Sequence, residues 1–140
     1  MNDKLFLDTN IILDLLGCRV PYYQAIAKIA TLAERGDVQL TASALSFATV
    51  HYFLATFDGS SVAREKLRKF KIICSVIAVN DAIVEKGLSS TFTDFEDSLQ
   101  YYCALQDNAT ILLTRNAKDF KESVLSVLTA EEYLVSIGKK

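Results

Sequence analysis

The chain has a single histidine, His51, a single proline, Pro21, no tryptophan and only five glycines among 140 residues. One histidine leaves Ser–His and Cys–His nucleophile pairs, and His-rich metal sites, poorly supported. Cys18, Cys74 and Cys103 are odd in number, lack zinc-type spacing and sit among apolar neighbours. They read as reduced, mostly buried thiols of a cytoplasmic protein. An excess of charge is missing too. With 15 basic and 17 acidic residues the net charge is −2, which excludes broad attraction to nucleic acid or to a membrane surface. Any nucleic-acid contact then comes from a local patch or a bound metal. No apolar run approaches a membrane span, and Met1-Asn2-Asp3-Lys4 lacks a signal-peptide pattern. With no repeat, low-complexity stretch or linker, residues 1–140 read as one domain. A 51% hydrophobic content with 23% charged residues supplies a proper core.

What is present is an alternation of short apolar runs and helical periodicities. Lys4 to Leu7 reads as a strand, and Ile11, Ile12, Leu15 and Leu16 follow at helical spacing. Pro21 suits a first helical position. A helix is predicted over Tyr22 to Arg35, stopped by Gly36. Val38 to Ala42 is a strand, and Ser43 caps a helix to about Phe57. Asp58 to Ser61 is a turn before a basic helix, Val62 to Phe70. Ile72 to Val79 is a strand, Asn80-Asp81 opens a helix to Ser89, and Ser90 to Thr93 is a loop. Phe95 to Gln106 is helical, Thr110 to Thr114 a strand, Arg115 to Phe120 a loop. Val124 to Leu128 is the last strand, and Thr129 caps a helix to about Ile137. Strands of this kind alternating with helices predict an α/β fold, a mostly parallel sheet of about five strands covered on both faces.

Acids fall where such a sheet places ligands. Asp8 stands between the first strand and its helix, at a strand's carboxyl end; Asp8, Thr9 and Asn10 are equally ordinary helix caps. Asp94 and Asp97 lie three apart on one face at the start of a helix, where acids also favour the positive helix end. Asn116 and Asp119 follow the fourth strand, and each is also a common turn residue. Carboxylates brought within ~4 Å repel by about 4 kcal/mol per pair at an effective dielectric of 20. A cluster of them therefore calls for protons, hydrogen bonds or a cation. Oxygen donors without His or Cys favour Mg²⁺ or Mn²⁺. Such an ion, open to solvent, orients water for in-line attack on a phosphodiester.

Three stretches together carry a resemblance. They are Leu5-Phe6-Leu7-Asp8-Thr9-Asn10-Ile11-Ile12-Leu13-Asp14, Thr93-Asp94-Phe95-Glu96-Asp97, and Thr114-Arg115-Asn116-Ala117-Lys118-Asp119-Phe120. In length and order of elements the chain resembles the PIN-domain family, and within it the VapC-type toxins. The resemblance implies a three-layer α/β/α fold and a Mg²⁺- or Mn²⁺-dependent endoribonuclease leaving a 3′-hydroxyl and a 5′-phosphate. It also implies a homodimer and an antitoxin partner. Carried over by position, Asp8 is the first acid, Asp97 the third and Asp94 its companion. The pattern that ends in the second acid reads Ser43-x-x-Ser46-x-x-Thr49, so Thr49 stands where Glu is expected. Asn116 stands at the fourth acid, with Asp119 near enough to substitute if its loop turns inward. The expected catalytic set is thus Asp8, Asp97, Asn116 and Asp119, with Asp8, Asp94 and Asp97 on the metal. A thinned acid set implies weak metal binding, and a non-cutting RNA- or protein-binding module is the alternative.

Other residues have two readings each. Thr9, Thr49 and Thr114 flank the acids and orient them or a water, or are ordinary strand-end and helix residues. Arg115 holds a scissile phosphate, or forms a structural ion pair. Arg64, Arg68 and Lys71 share a helix face that contacts RNA phosphates, or is simply solvated. Tyr22, Tyr23, Phe47, His51 and Leu54 are candidates for an exposed docking surface. An aspartyl-phosphatase reading lacks a second Asp two residues after Asp8, and a dinucleotide site lacks glycine in the first strand–helix turn.

Overall fold

The computed structural model describes residues 2–138; Met1, Lys139 and Lys140 of the expected 1–140 domain lie outside them. Five strands, β1 (Asp3–Leu7), β2 (Val38–Ser43), β3 (Cys74–Ile77), β4 (Ile111–Leu113) and β5 (Ser126–Leu128), form one sheet in the order β3-β2-β1-β4-β5. Every pairing is parallel. The chain steps outward from β1 through β2 to β3, then returns to the other side of β1 for β4 and β5. The order reverses at β1 and β4, which is where an open α/β sheet leaves a crevice at its carboxyl edge.

The side-chain alternation of the strands explains the three layers. Leu5, Leu7, Leu40, Ala42 and Leu113 face one core with α1 (Thr9–Leu16), α2 (Tyr23–Glu34), α3 (Ala44–Asp58), α4 (Ser60–Phe70) and α7 (Ala130–Ser136). Phe6 and Leu112 face the other core with α5 (Asp81–Leu88) and α6 (Phe95–Gln106). Strands buried on both faces need apolar residues at every position, hence the continuous runs of the sequence.

Helix starts follow their capping residues. Ser43, Asn80, Asp94 and Thr129 each accept the backbone N–H three residues on, and Thr129 with Glu132 completes a capping box. Gly36, at φ 80°, ends α2: its N–H and that of Asp37 reach back to Ala33 and Leu32.

Several expectations change. The edge strands are shorter than the apolar runs that contain them, because only part of each run finds a neighbour to pair with. Pro21 lies in a turn two residues before α2, after a cis peptide bond, and is not a first helical residue. The turn expected over Asp58 to Ser61 shrinks to Gly59, with Asp58 and Ser60 already helical. The loop after β4 contains a 3-10 turn, Ala117–Phe120. Cys18 is exposed, while Cys74 and Cys103 are buried as expected. Leu54 is buried and Phe47 packs against Phe70, so the exposed apolar face of α3 is instead Tyr52, Phe53 and Phe57. Among the described residues no helix is long and apolar enough to cross a membrane.

Candidate active site

Asp8 sits where β1 becomes α1, and its backbone N–H bonds to Leu113 O of β4 at 2.9 Å. Its carboxylate is almost wholly buried. One oxygen accepts the Thr9 N–H at 2.8 Å and the other accepts the Thr114 hydroxyl at 2.8 Å. Bonds of this kind to a charged group are worth roughly 1.5–3 kcal/mol each, which partly offsets taking the charge out of water. Burial nonetheless pushes Asp8 above the ordinary carboxylate range, with Thr114 and Thr9 pulling it back and the charges of Glu96 and Asp119 pushing it further up.

The first turn of α6 faces Asp8 across the crevice. Asp97 is pushed up to about 7, first by burial and then by the charges of Asp8, Asp94, Asp119 and Glu96. Five carboxylates from three separate chain segments therefore sense one another. Asp94 spends one oxygen capping the Asp97 N–H at 3.1 Å. Asp119 is delivered by the 3-10 turn after β4, and with Asp94 and Asp97 it lines a cleft of about 400 Å³. Asn116 is exposed on the N-terminal side of that turn and donates its backbone N–H to Thr114 Oγ1 at 3.2 Å. Of the two candidates after β4, Asp119 is the one the turn brings to the other acids.

Behind the acids lies a buried polar network. Gln100 donates to Ser46 Oγ at 2.8 Å and Thr9 Oγ1 at 3.3 Å, and accepts from Ser43 Oγ at 2.9 Å. Thr9 and Ser46 hydroxyls share a hydrogen bond at 2.8 Å. The network ties α1, α3 and α6 together directly beneath the crevice. Thr49 lies one turn further along α3 from Ser46, half-buried, with no side-chain hydrogen bond among the described residues.

Arg115 points elsewhere. Its Nε stands 3.1 Å from the buried carboxylate of Asp14, without the alignment of a hydrogen bond, and its guanidinium lies 4.2 Å over the Tyr22 ring. The structural ion pair is thus the arrangement present. Arg64 and Arg68 line a separate open hollow on α4, where Arg68 pairs with Glu65 at 2.8 Å, and Lys71 is exposed at the end of that helix. None of the three lines the acid cleft.

Sequence reasoning passed over Glu96, Gln100, Lys118 and Lys121. Glu96 stood in plain view inside the Asp94–Asp97 run. Gln100 is three residues beyond Asp97, so the helical repeat that aligned Asp94 with Asp97 extends to it. The two lysines line the cleft beside Asp119, on a turn the sequence does not announce.

The donor set is all oxygen, which suits Mg²⁺ or Mn²⁺ and not a soft metal. Among the described residues no three His, Cys, Asp or Glu side chains already converge to hold an ion. Asp94, Glu96 and Asp119 are exposed, so closing on one requires their rotation toward Asp8 and Asp97.

A PIN domain family model matches residues 4–118. Ribonuclease VapC1 of Aquifex aeolicus (strain VF5) is 31% identical over 138 residues, covering 94% of both chains. Among solved structures, a toxin–antitoxin complex from Klebsiella pneumoniae superposes with a TM-score of 0.69 at 20% identity, over 90% of this chain and 97% of that one. VapBC2 from Rickettsia felis, bound to a DNA fragment from its promoter, gives 0.66 at 20% identity, over 89% and 96%. At those identities the structural likeness concerns the fold.

Proposed function

The chain belongs to the PIN-domain family, and from this we infer that it is a ribonuclease of the VapC toxin type, hydrolysing RNA phosphodiester bonds at the crevice beyond β1 and β4. The observation that carries the assignment of the site is the half-buried Asp97, pushed up to about 7 first by burial and then by the charges of Asp8, Asp94, Asp119 and Glu96 around the same carboxyl edge of the sheet. Acids so placed are costly unless a cation shares their charge. In this reading Asp8 and Asp97 are the fixed ligands of a Mg²⁺ or Mn²⁺ ion. Asp94, Glu96 and Asp119 complete its surroundings. Bound there, the ion supplies charge stabilisation for the reacting phosphate and lowers the pKa of water. The chain's own part is orientation: Thr114 and the Thr9 N–H hold the two Asp8 oxygens, and Gln100 braces Thr9 against α3.

The substitutions that thin the family's acid set, Thr49 and Asn116, favour the second reading, a module that binds RNA without cutting it. Asp119 weighs against it, since it returns a carboxylate to the cleft beside Asp97, and Glu96 adds its charge to the surroundings of Asp8 and Asp97. A protein partner and a homodimer belong to the proposal as well. They are supported by the toxin–antitoxin complexes among the relatives of this fold and by the apolar residues left open on α3.

The test is cleavage of single-stranded RNA with Mg²⁺ or Mn²⁺, by the parent and by Asp8→Asn and Asp97→Asn. The expected result is metal-dependent cutting that falls by about 10²-fold or more in each variant. RNA binding with no cutting by the parent at any metal concentration selects the binding module.

A further inference from the structure

The acid cleft contains two cations that its acids do not use. Lys118 and Lys121 line it together with Asp94, Asp97, Asp119 and Glu122. Lys4, Arg35, Lys66, Arg68 and Arg115 each stand within ion-pair distance of an acid. Lys118 and Lys121 take neither a hydrogen bond nor an ion pair among the described residues, although carboxylates surround them.

Their placement is also firm. A 3-10 turn has three residues per turn and rises about 2 Å per residue, so positions three apart stack on one side, about 6 Å apart. Lys118 lies within this turn, and Lys121 follows it directly as its C-terminal cap with helical backbone angles (φ −64°, ψ −18°), which keeps the two lysines close to the same side. Phe120 between them is buried and packs against Phe92, which itself packs on Tyr101. The Tyr101 hydroxyl accepts the Val124 N–H at 3.0 Å, pinning the segment that follows. The stems of both lysines therefore start from an anchored turn at the mouth of the cleft.

An RNA strand brings negative charge into a crevice that is already negative. Each close approach of a phosphate to a carboxylate is repulsive, and more so where the crevice excludes water. Cations unspent on the protein's own acids are what the strand needs there.

We propose that Lys118 and Lys121 form a phosphate subsite, taking RNA backbone phosphates next to the bond that the acids address. The subsite rests on the reading of the cleft as a ribonuclease site. It assigns substrate positioning to the turn after β4, distinct from the acids that turn also delivers.

The experiment is fluorescence anisotropy of a labelled single-stranded RNA oligonucleotide with chelator present, over a range of salt concentrations, for the parent and Lys118→Gln/Lys121→Gln. Lys86→Gln, an exposed lysine on α5, is the control. The slope of log affinity against log salt should fall by about 1.4 in the double variant, about 0.7 for each single-strand phosphate that a lysine no longer neutralises. It should not change in the control. In cleavage assays KM should rise while kcat is kept. An unchanged slope overturns the subsite, as does a parent that binds no RNA. A loss of kcat at unchanged KM overturns it too, because the lysines then act on the acids. A parent that binds RNA with the lysine-dependent slope but never cuts it leaves the subsite standing and removes the nuclease reading alone.

Discussion

Asp97 shows how one residue reports on a whole site. Its carboxyl titrates near 7 in the folded protein against an ordinary value of 3.8, so between those two pH values the native state holds a proton that the unfolded chain has released. Stability then falls as pH rises across that window. Asparagine mimics the protonated form and carries no such penalty. In chelator, Asp97→Asn should melt above the parent at pH 8, and the gap should narrow at pH 5, because the penalty accumulates from the unfolded value of 3.8 upward and most of it arises between pH 5 and 7. Circular dichroism melts at the two pH values check this; a variant less stable than the parent at pH 8 would show that the acids are not in conflict.

At the scale of elements, the site depends on how closely α6 approaches α5. Gly87 makes that approach, and a Cβ there would stand 2.7 Å from Ser98 Oγ and 3.2 Å from Leu99 Cδ2 and Phe95 Cε1. The Ser98 hydroxyl is buried and donates to Phe95 O at 2.5 Å, so it does not readily give way. Gly→Ala inside a helix gains about 1 kcal/mol of propensity, whereas overpacking costs about 1–3 kcal/mol. The clash should win. Gly87→Ala is expected to lower the denaturation midpoint and, by displacing the turn that carries Asp94, Glu96 and Asp97, to reduce cleavage more than it reduces stability. A neutral midpoint in urea would mean that α6 can shift freely.

At the scale of the molecule, the strand order sets the site, since the reversal between β1 and β4 opens the crevice that Asp8 and Thr114 border. On the outer face of α3, Tyr52 is 69% and Phe57 82% exposed, apolar area of the kind that marks interfaces. The proposed homodimer would cover it. Analytical ultracentrifugation should find a dimer for the parent and a monomer for Tyr52→Glu/Phe57→Glu with unchanged circular dichroism. A parent that stays monomeric at high micromolar concentration removes the dimer.

The sequence alone determined the succession of strands and helices, because burial on both faces of a parallel sheet demands unbroken apolar runs and because Ser43, Asn80, Asp94 and Thr129 announce their helices by local chemistry. It also placed Asp8, Asp94 and Asp97 at strand and helix ends, where a sheet of this kind gathers ligands. Only the tertiary structure decided between Asn116 and Asp119, a choice that turns on one 3-10 turn anchored by Phe120. It alone paired Arg115 with Asp14, bonded Gln100 to Thr9, Ser43 and Ser46, and left Lys118 and Lys121 unpaired in the cleft. Each of these depends on contacts between segments far apart in the chain, and no local pattern encodes which buried neighbour a side chain will meet.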